Sequence, residues 1–130
     1  MSSPSLALQQ AMRTKLLAHA PLTTLLGGAF IFDEKPLGTP PPHVRFEDID
    51  TRDWSVKDQK AHEHVVMLAV SSRESNRQRL ADIVDQIEAA LDDQPLTMTG
   101  HRLINLRLLF AVITRDGARL RFRAATEPNP

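Results

Sequence analysis

The chain contains no cysteine, which excludes disulfides, thiolate nucleophiles and sulfur-ligated zinc or iron together. Its stability has to come from packing. Net charge is absent as well: 16 basic residues balance 16 acidic ones, so the molecule as a whole exerts no strong pull on nucleic acid or on an anionic membrane. Long apolar runs are missing. The longest, Val65–Val70 and Leu108–Ile113, fall far short of the ~18 residues that a membrane-spanning helix needs. Met1-Ser2-Ser3-Pro4 shows neither the basic opening nor the apolar stretch of a secretory signal, so residence in the cytoplasm is expected. Internal repeats and low-complexity blocks are lacking too.

What is present reads as ordinary globular material: 130 residues, 42% of them hydrophobic and 25% charged. Area scaling for 14.5 kDa gives a folded surface of roughly 6,900 Å² against roughly 21,000 Å² for the unfolded chain. That suits one core and is too little for a barrel enzyme or a two-domain nucleotide fold. The expected organisation is a single domain over residues 1–127 with a frayed tail at 128–130.

Ser3 before Pro4 is a good helix opening, since serine caps free amides and proline at the first helical position loses no bond. Leu8, Ala11, Met12 and Leu16 then recur at helical spacing to about His19, and Pro21 stops the helix. Leu22, Leu25 and Leu26 suggest one further short turn, ended by Gly27 and Gly28. Ala29–Asp33 reads as a short strand, followed by a stiff connection through Pro36, Gly38 and Pro40–Pro42. Val44 and Phe46 alternate with polar neighbours, predicting a strand from His43 to about Ile49. Asp50–Ala61 is polar except for Trp54 and Val56 and reads as a long projecting loop.

His62–Ser71 is apolar on both faces, as a central strand requires. Ser72–Ser75 offers helix caps, and Leu80, Ile83, Val84, Ile87 and Leu91 form one amphipathic stripe ending before Asp93-Gln94-Pro95. Gly100 marks the start of a strand over His101–Ile113, Asp116-Gly117 supplies a hairpin turn, and Arg119, Arg121 and Arg123 alternate with Leu120, Phe122 and Ala124. The expected fold is therefore α+β: a mainly antiparallel sheet of four to five strands with two helices packed on one face, its other face partly uncovered.

Catalytic patterns are scarce. His62 and His64 point to one side of a strand, a spacing some metal sites use, but no third ligand is nearby and ordinary histidines at the edge of the core explain them better. Gly27-Gly28 follows a helix, where a phosphate cradle would precede one. Neither Gly-x-Ser-x-Gly nor His-Glu-x-x-His occurs, and Asp92-Asp93 sits at a polar helix end. Neither a catalytic residue, a cofactor nor a metal is expected.

Charge placement carries more. Asp82 to Asp93 holds five acids and no base, whereas His101–Arg123 holds six arginines against the single acid Asp116. Two solvated faces explain this blandly. The sharper reading is self-association: the acidic helix, with Asp85 and Glu88, meets the arginine strand of the next copy, and a head-to-tail contact that closes makes a ring. Alternatively Arg119, Arg121 and Arg123 face a channel through which DNA passes. Trp54, the only tryptophan, either anchors a partner or folds back over the sheet edge.

Several segments together resemble the small tail-terminator, or tail-completion, proteins of long-tailed phages. They are Leu6-Ala7-Leu8-Gln9-Gln10-Ala11, Leu25-Leu26-Gly27-Gly28, Phe32-Asp33, Pro40–Val44, Asp53-Trp54-Ser55 with Lys57, and Glu63-His64. The closing Leu120–Pro128 segment is most similar to the copies in Rhodobacter-type gene transfer agents. The resemblance implies a hexameric ring, similar in fold to the terminator of phage lambda, that caps the tail tube and faces the head connector. Its implied partners are itself, a tail tube protein and a head-completion or stopper protein, with DNA passing through the lumen without sequence recognition and no membrane. It implies assembly in the cytoplasm and then a place in the released particle.

Two departures stand out: Lys57-Asp58-Gln59-Lys60-Ala61 lacks an expected glycine, and Glu74–Gln78 is more polar than usual. The family offers no catalytic residue to carry over. Joined to the charge pattern, it suggests an oligomer interface of Asp53, Trp54, Lys57, Asp85, Glu88, Arg119, Arg121 and Arg123. The competing expectations are another head–tail connector or stopper ring, a small cytosolic domain binding an anion on its arginine strand, and an enzyme using His62 and His64.

Overall fold

The structure is a computed structural model that describes residues 3–34, 38, 40–72 and 77–129. Helix α1, Pro4–Leu17, opens as its sequence dictates: the Ser3 hydroxyl accepts a bond from the Leu6 amide, 3.4 Å away, and Pro4 occupies the first turn. It buries Ala7, Leu8, Ala11, Met12 and Leu16 along one stripe. Pro21 does more than end it. Standing in the first turn of a second helix, α2 (Ala20–Leu26), it loses no hydrogen bond there, and Gly27 closes α2 at a φ of 79°. The short turn expected at Leu22–Leu26 is thus a helix. With α3, Arg77–Leu91, three helices among the described residues cover the sheet where two were expected.

α3 buries Leu80, Ile83, Val84, Ile87, Ala90 and Leu91, the amphipathic stripe read from the sequence. His19, at the α1–α2 junction, meets Gln86 of α3 at 2.8 Å and ties the helical layer together. The caps expected at Ser72–Ser75 lie, apart from Ser72, outside the described residues, as does Pro36 of the stiff connection.

Strands β1 (Ile31–Phe32), β2 (His43–Asp53), β3 (His62–Ser71), β4 (His101–Ile113) and β5 (Gly117–Pro128) form one sheet in the order β1-β2-β3-β5-β4. β1 runs parallel to β2, and the other pairs are antiparallel. β3 is the middle strand, as its composition requires. Its helix-facing residues Val66, Leu68 and Val70 join Val44 and Phe46 of β2, Leu120 and Phe122 of β5 and Leu106 of β4 in one core with the helices. The opposite face of β3, with Val65 and Met67, stays half-buried because no layer of the described residues covers it.

Two strand ends depart from the sequence reading. β2 was expected to stop near Ile49, but Asp50, Thr51, Arg52 and Asp53 pair with Val65, His64, Glu63 and His62 after a bulge between Phe46 and Ile49. A polar run takes strand geometry here because β3 supplies the ladder while its side chains remain in water. The projecting loop over 50–61 shrinks to residues 54–61. These are closed by the Trp54 amide donating to the Ala61 carbonyl at 2.9 Å and by paired bonds between Val56 and Gln59 at 2.9 and 3.0 Å. At the other terminus Glu127 and Pro128 belong to β5, paired with Arg102 and His101. The Asn129 amide donates to the Gly100 carbonyl at 3.2 Å, so residues 128 and 129 are held where a frayed tail over 128–130 was expected.

Candidate assembly surface

Register places the arginines of β5 on the uncovered face of the sheet, Arg119 beside Ala69, Arg121 beside Met67 and Arg123 beside Val65. Each has company. Arg119 reaches the Glu47 carboxylate at 3.2 Å, and Arg45 reaches the same group at 3.2 Å. Arg121 lies over the Phe110 ring, 5.1 Å from its centre. Arg123 donates from Nε to Glu63 at 2.9 Å, approaches it again through Nη2 at 2.8 Å, and donates from Nη1 to Asn105 at 3.2 Å. Both Nε and Nη2 meet the same oxygen, Oε2 of Glu63, in a charge-assisted contact. The row is therefore cationic but partly neutralised, not an open anion site.

Trp54 falls into this same cluster. Its ring sits 5.2 Å from the Arg123 guanidinium, a cation–π arrangement, while 42% of the residue stays exposed. Trp54 folds back onto Arg123 of the sheet and keeps part of its aromatic surface exposed. Asp53 anchors the hairpin by accepting from the Ser55 hydroxyl at 2.6 Å and the Ser55 amide at 3.0 Å; these bonds hold its carboxyl below the usual carboxylate range. Lys57 stands at the tip with a φ of 53°, a position where the missing glycine would be at ease.

Asp85 and Glu88 lie exposed on α3, in the other layer of the molecule. The structure thus brings Trp54 onto Arg123 of the arginine row, places Asp53 and Lys57 in the same hairpin as Trp54, and leaves the acidic pair apart on α3. Asp92 instead fastens α3 to β4, meeting Arg107 at 3.4 Å and accepting from the Leu108 amide at 2.8 Å.

The histidines expected at the edge of the core are unlike one another. His64 is fully buried. Its Nδ1 shares a hydrogen bond with the Thr51 hydroxyl at 2.9 Å and its Nε2 with the Thr126 hydroxyl at 2.8 Å. Both ring nitrogens are thereby committed, and the network joins β2, β3 and β5. Burial above all, then the charges of His62 and His101, lowers its pKa from 6.5 to about 4. Among the described residues no three His, Asp or Glu side chains are grouped to hold a metal ion.

The sequence reading missed the C-terminal half of β4. Leu109, Phe110, Val112 and Ile113 are 51, 43, 47 and 37% exposed. The run Leu108–Ile113 signalled a strand, but apolar residues in a strand read as core unless its place at the sheet edge is known.

The fold is that of a small α+β subunit, a helix-backed sheet with an apolar edge strand and an ordered hairpin. The family model for the tail completion protein gp17 matches residues 10–127, and the chain belongs to that family. Among solved structures it is similar to a chain of the virion of the native gene transfer agent (GTA) particle, with 28% identity over 97% of this chain and 99% of that one, at a TM-score of 0.84. It is also similar to the bacteriophage SPP1 gp17 protein, with 20% identity over 96% of this chain and 91% of that one, at a TM-score of 0.66, a likeness of fold alone. No curated protein matches it. The chain is a tail completion protein of a phage-like particle, a structural component that assembles with other tail or head proteins.

Proposed function

We propose that this protein is a tail terminator: six copies close into a ring that caps the finished tail tube and receives the head-completion or stopper protein, with DNA passing through the lumen without being read. The observation that carries this is the end-to-end likeness to a chain of the gene transfer agent virion, 97% of one chain against 99% of the other. A likeness that runs through every element, not through one shared motif, is what two subunits with the same place in a particle would have. The surface agrees with such a role. Arginines partly neutralised by Glu47 and Glu63 suit a phosphate backbone sliding past, because residual positive charge attracts phosphate without fixing a register.

The interface residues follow from the same reading. The hairpin bearing Asp53, Trp54 and Lys57 touches neighbouring subunits, Arg119, Arg121 and Arg123 mark the uncovered face, and Asp85 and Glu88 present an acidic helix on the opposite layer. Assembly takes place in the cytoplasm and leaves the protein in the neck of the released particle.

The test is electron microscopy of particles made with Arg121→Glu in place of the native chain, with the isolated variant checked for folding by circular dichroism. The variant is expected to fold and to give tails of uncontrolled length or tails without heads. Particles of normal length, or a native neck mapped without this polypeptide, overturn the reading.

A further inference from the structure

One arginine of the β5 row is left without a counter-ion. Arg119 has Glu47 and Arg123 has Glu63, but half-buried Arg121 has only the face of Phe110. Among the described residues it meets no carboxylate, and its buried Nε finds no acceptor, a rare condition for a buried donor. Phe110 stands opposite Arg121 in the ladder and Val112 opposite Arg119, and both apolar residues are exposed. The β4 side of the uncovered face thus presents an apolar projection carrying one uncompensated positive charge.

The helical layer holds the converse. Between α2 and α3 lies an open groove of about 520 Å³, with Pro21, Thr24 and Leu25 on one wall and Asp82 and Asp85 on the other. Asp82 accepts from the Gln78 side-chain amide at 3.0 Å, a neutral donor that leaves its charge standing. Asp85 is exposed and has no ion-pair partner among the described residues. Arg79 donates to the Leu25 carbonyl at 2.8 Å, and no base follows it on α3.

We propose that the Phe110–Arg121 stack of one copy seats in the α2–α3 groove of a second copy, the ring against Pro21 and Leu25 and the guanidinium against Asp82 and Asp85. Charges that have no partner inside a subunit find one across the boundary, and apolar surface meets apolar surface. Because the two surfaces are unlike and lie on opposite layers, the contact is heterologous: each copy gives its stack to one neighbour and its groove to the other, and the series closes when the rotation allows. This rests on the ring reading and specifies which surfaces build the ring. Arg119 and Arg123, whose carboxylates lie within the subunit, take no part in it, and the cluster of Arg45, Glu47 and Arg119 stays open to the lumen.

Complementary charge across a boundary fixes partner and orientation, so the test reverses signs. Arg121→Glu and Asp85→Arg are made as separate chains, each checked for folding by circular dichroism. Assembly is read by native mass spectrometry of the free chains and by co-sedimentation with tails. Either variant alone sets like charges at every contact and is expected to raise the concentration needed for rings roughly tenfold or more. Mixed in equal amounts, the two chains restore opposite charges wherever they alternate, so near-native assembly is expected, in rings holding equal numbers of each. Should Arg121→Glu misfold, Phe110→Glu, at an exposed position beside it, takes its place. Normal rings from Asp85→Arg alone, or no rescue in the mixture, overturn the inference and leave the ring reading standing. A native chain that never forms rings, free or on tails, overturns both.

Discussion

Bringing the protein from pH 7 to pH 4 forces a proton towards His64, whose two ring nitrogens are held by Thr51 and Thr126 at 2.9 and 2.8 Å with no exposure to water. Burial, reinforced by His62 and His101, lowers its pKa from 6.5 to about 4. The unfolded chain keeps the ordinary value. A depressed histidine makes the unfolded state bind the proton first, so its contribution is whole above pH 6.5 and is lost as the pH falls towards 4. Each pKa unit corresponds to about 1.4 kcal/mol, and between pH 6.5 and 5 the loss amounts to about 2 kcal/mol. That window lies above the range where ordinary carboxylates titrate. For a domain of this size such a loss lowers Tm by roughly 5–10 °C. Urea unfolding at half-unit pH steps measures the slope, and His64→Gln, which cannot titrate, is expected to flatten it while lowering stability at pH 7. A variant that keeps the native slope, or an NMR titration placing His64 at 6.5 or above, refutes the argument.

Gly117 sits where β5 starts, and a Cβ there would lie 2.5 Å from the Val70 carbonyl oxygen. Gly117→Ala is therefore expected to cost about 1–3 kcal/mol by overpacking, measured by urea unfolding; an unchanged midpoint would show that the β3–β5 spacing yields freely. Arg123→Leu removes the partner of half-buried Glu63 and the cation over Trp54. It is expected to cost about 1 kcal/mol and to change Trp54 emission in the monomer, and identical spectra would mean that the stack does not persist in solution.

Periodicity made the core legible. The stripes on α1 and α3 and the alternation on β5 all face where their spacing puts them, because burying one face is the largest energy available to a chain without disulfides. Three features were opaque for separate reasons. Asp50–Asp53 looked like loop because strand propensity belongs to the partner strand as much as to the residues themselves. Pro21 has the same local sequence whether it ends one helix or begins another. The arginine row was legible as a face, but its counter-ions Glu47 and Glu63 sit on other strands, and only the register reveals them. Sheet order was the remaining unknown, and it places the apolar run of β4 on an edge strand, where much of it is surface.

In the proposed ring the Trp54 hairpin meets a neighbouring subunit, and its own bonds give it shape beforehand. Its end is pinned by the Asp53–Ser55 bonds, its closure by the Trp54 amide and the Ala61 carbonyl, and the indole by Arg123, which Glu63 and Asn105 in turn hold in place. A free loop would lose conformational entropy on meeting a neighbour, on the order of 1 kcal/mol for each side chain that must be fixed. Here that ordering is already complete in the isolated subunit. Thr51, next to the base of the hairpin, is bonded to His64, so the buried network and the exposed aromatic belong to one rigid unit. Protonating His64 is therefore expected to loosen the hairpin that the proposed ring uses as well as the core beneath it.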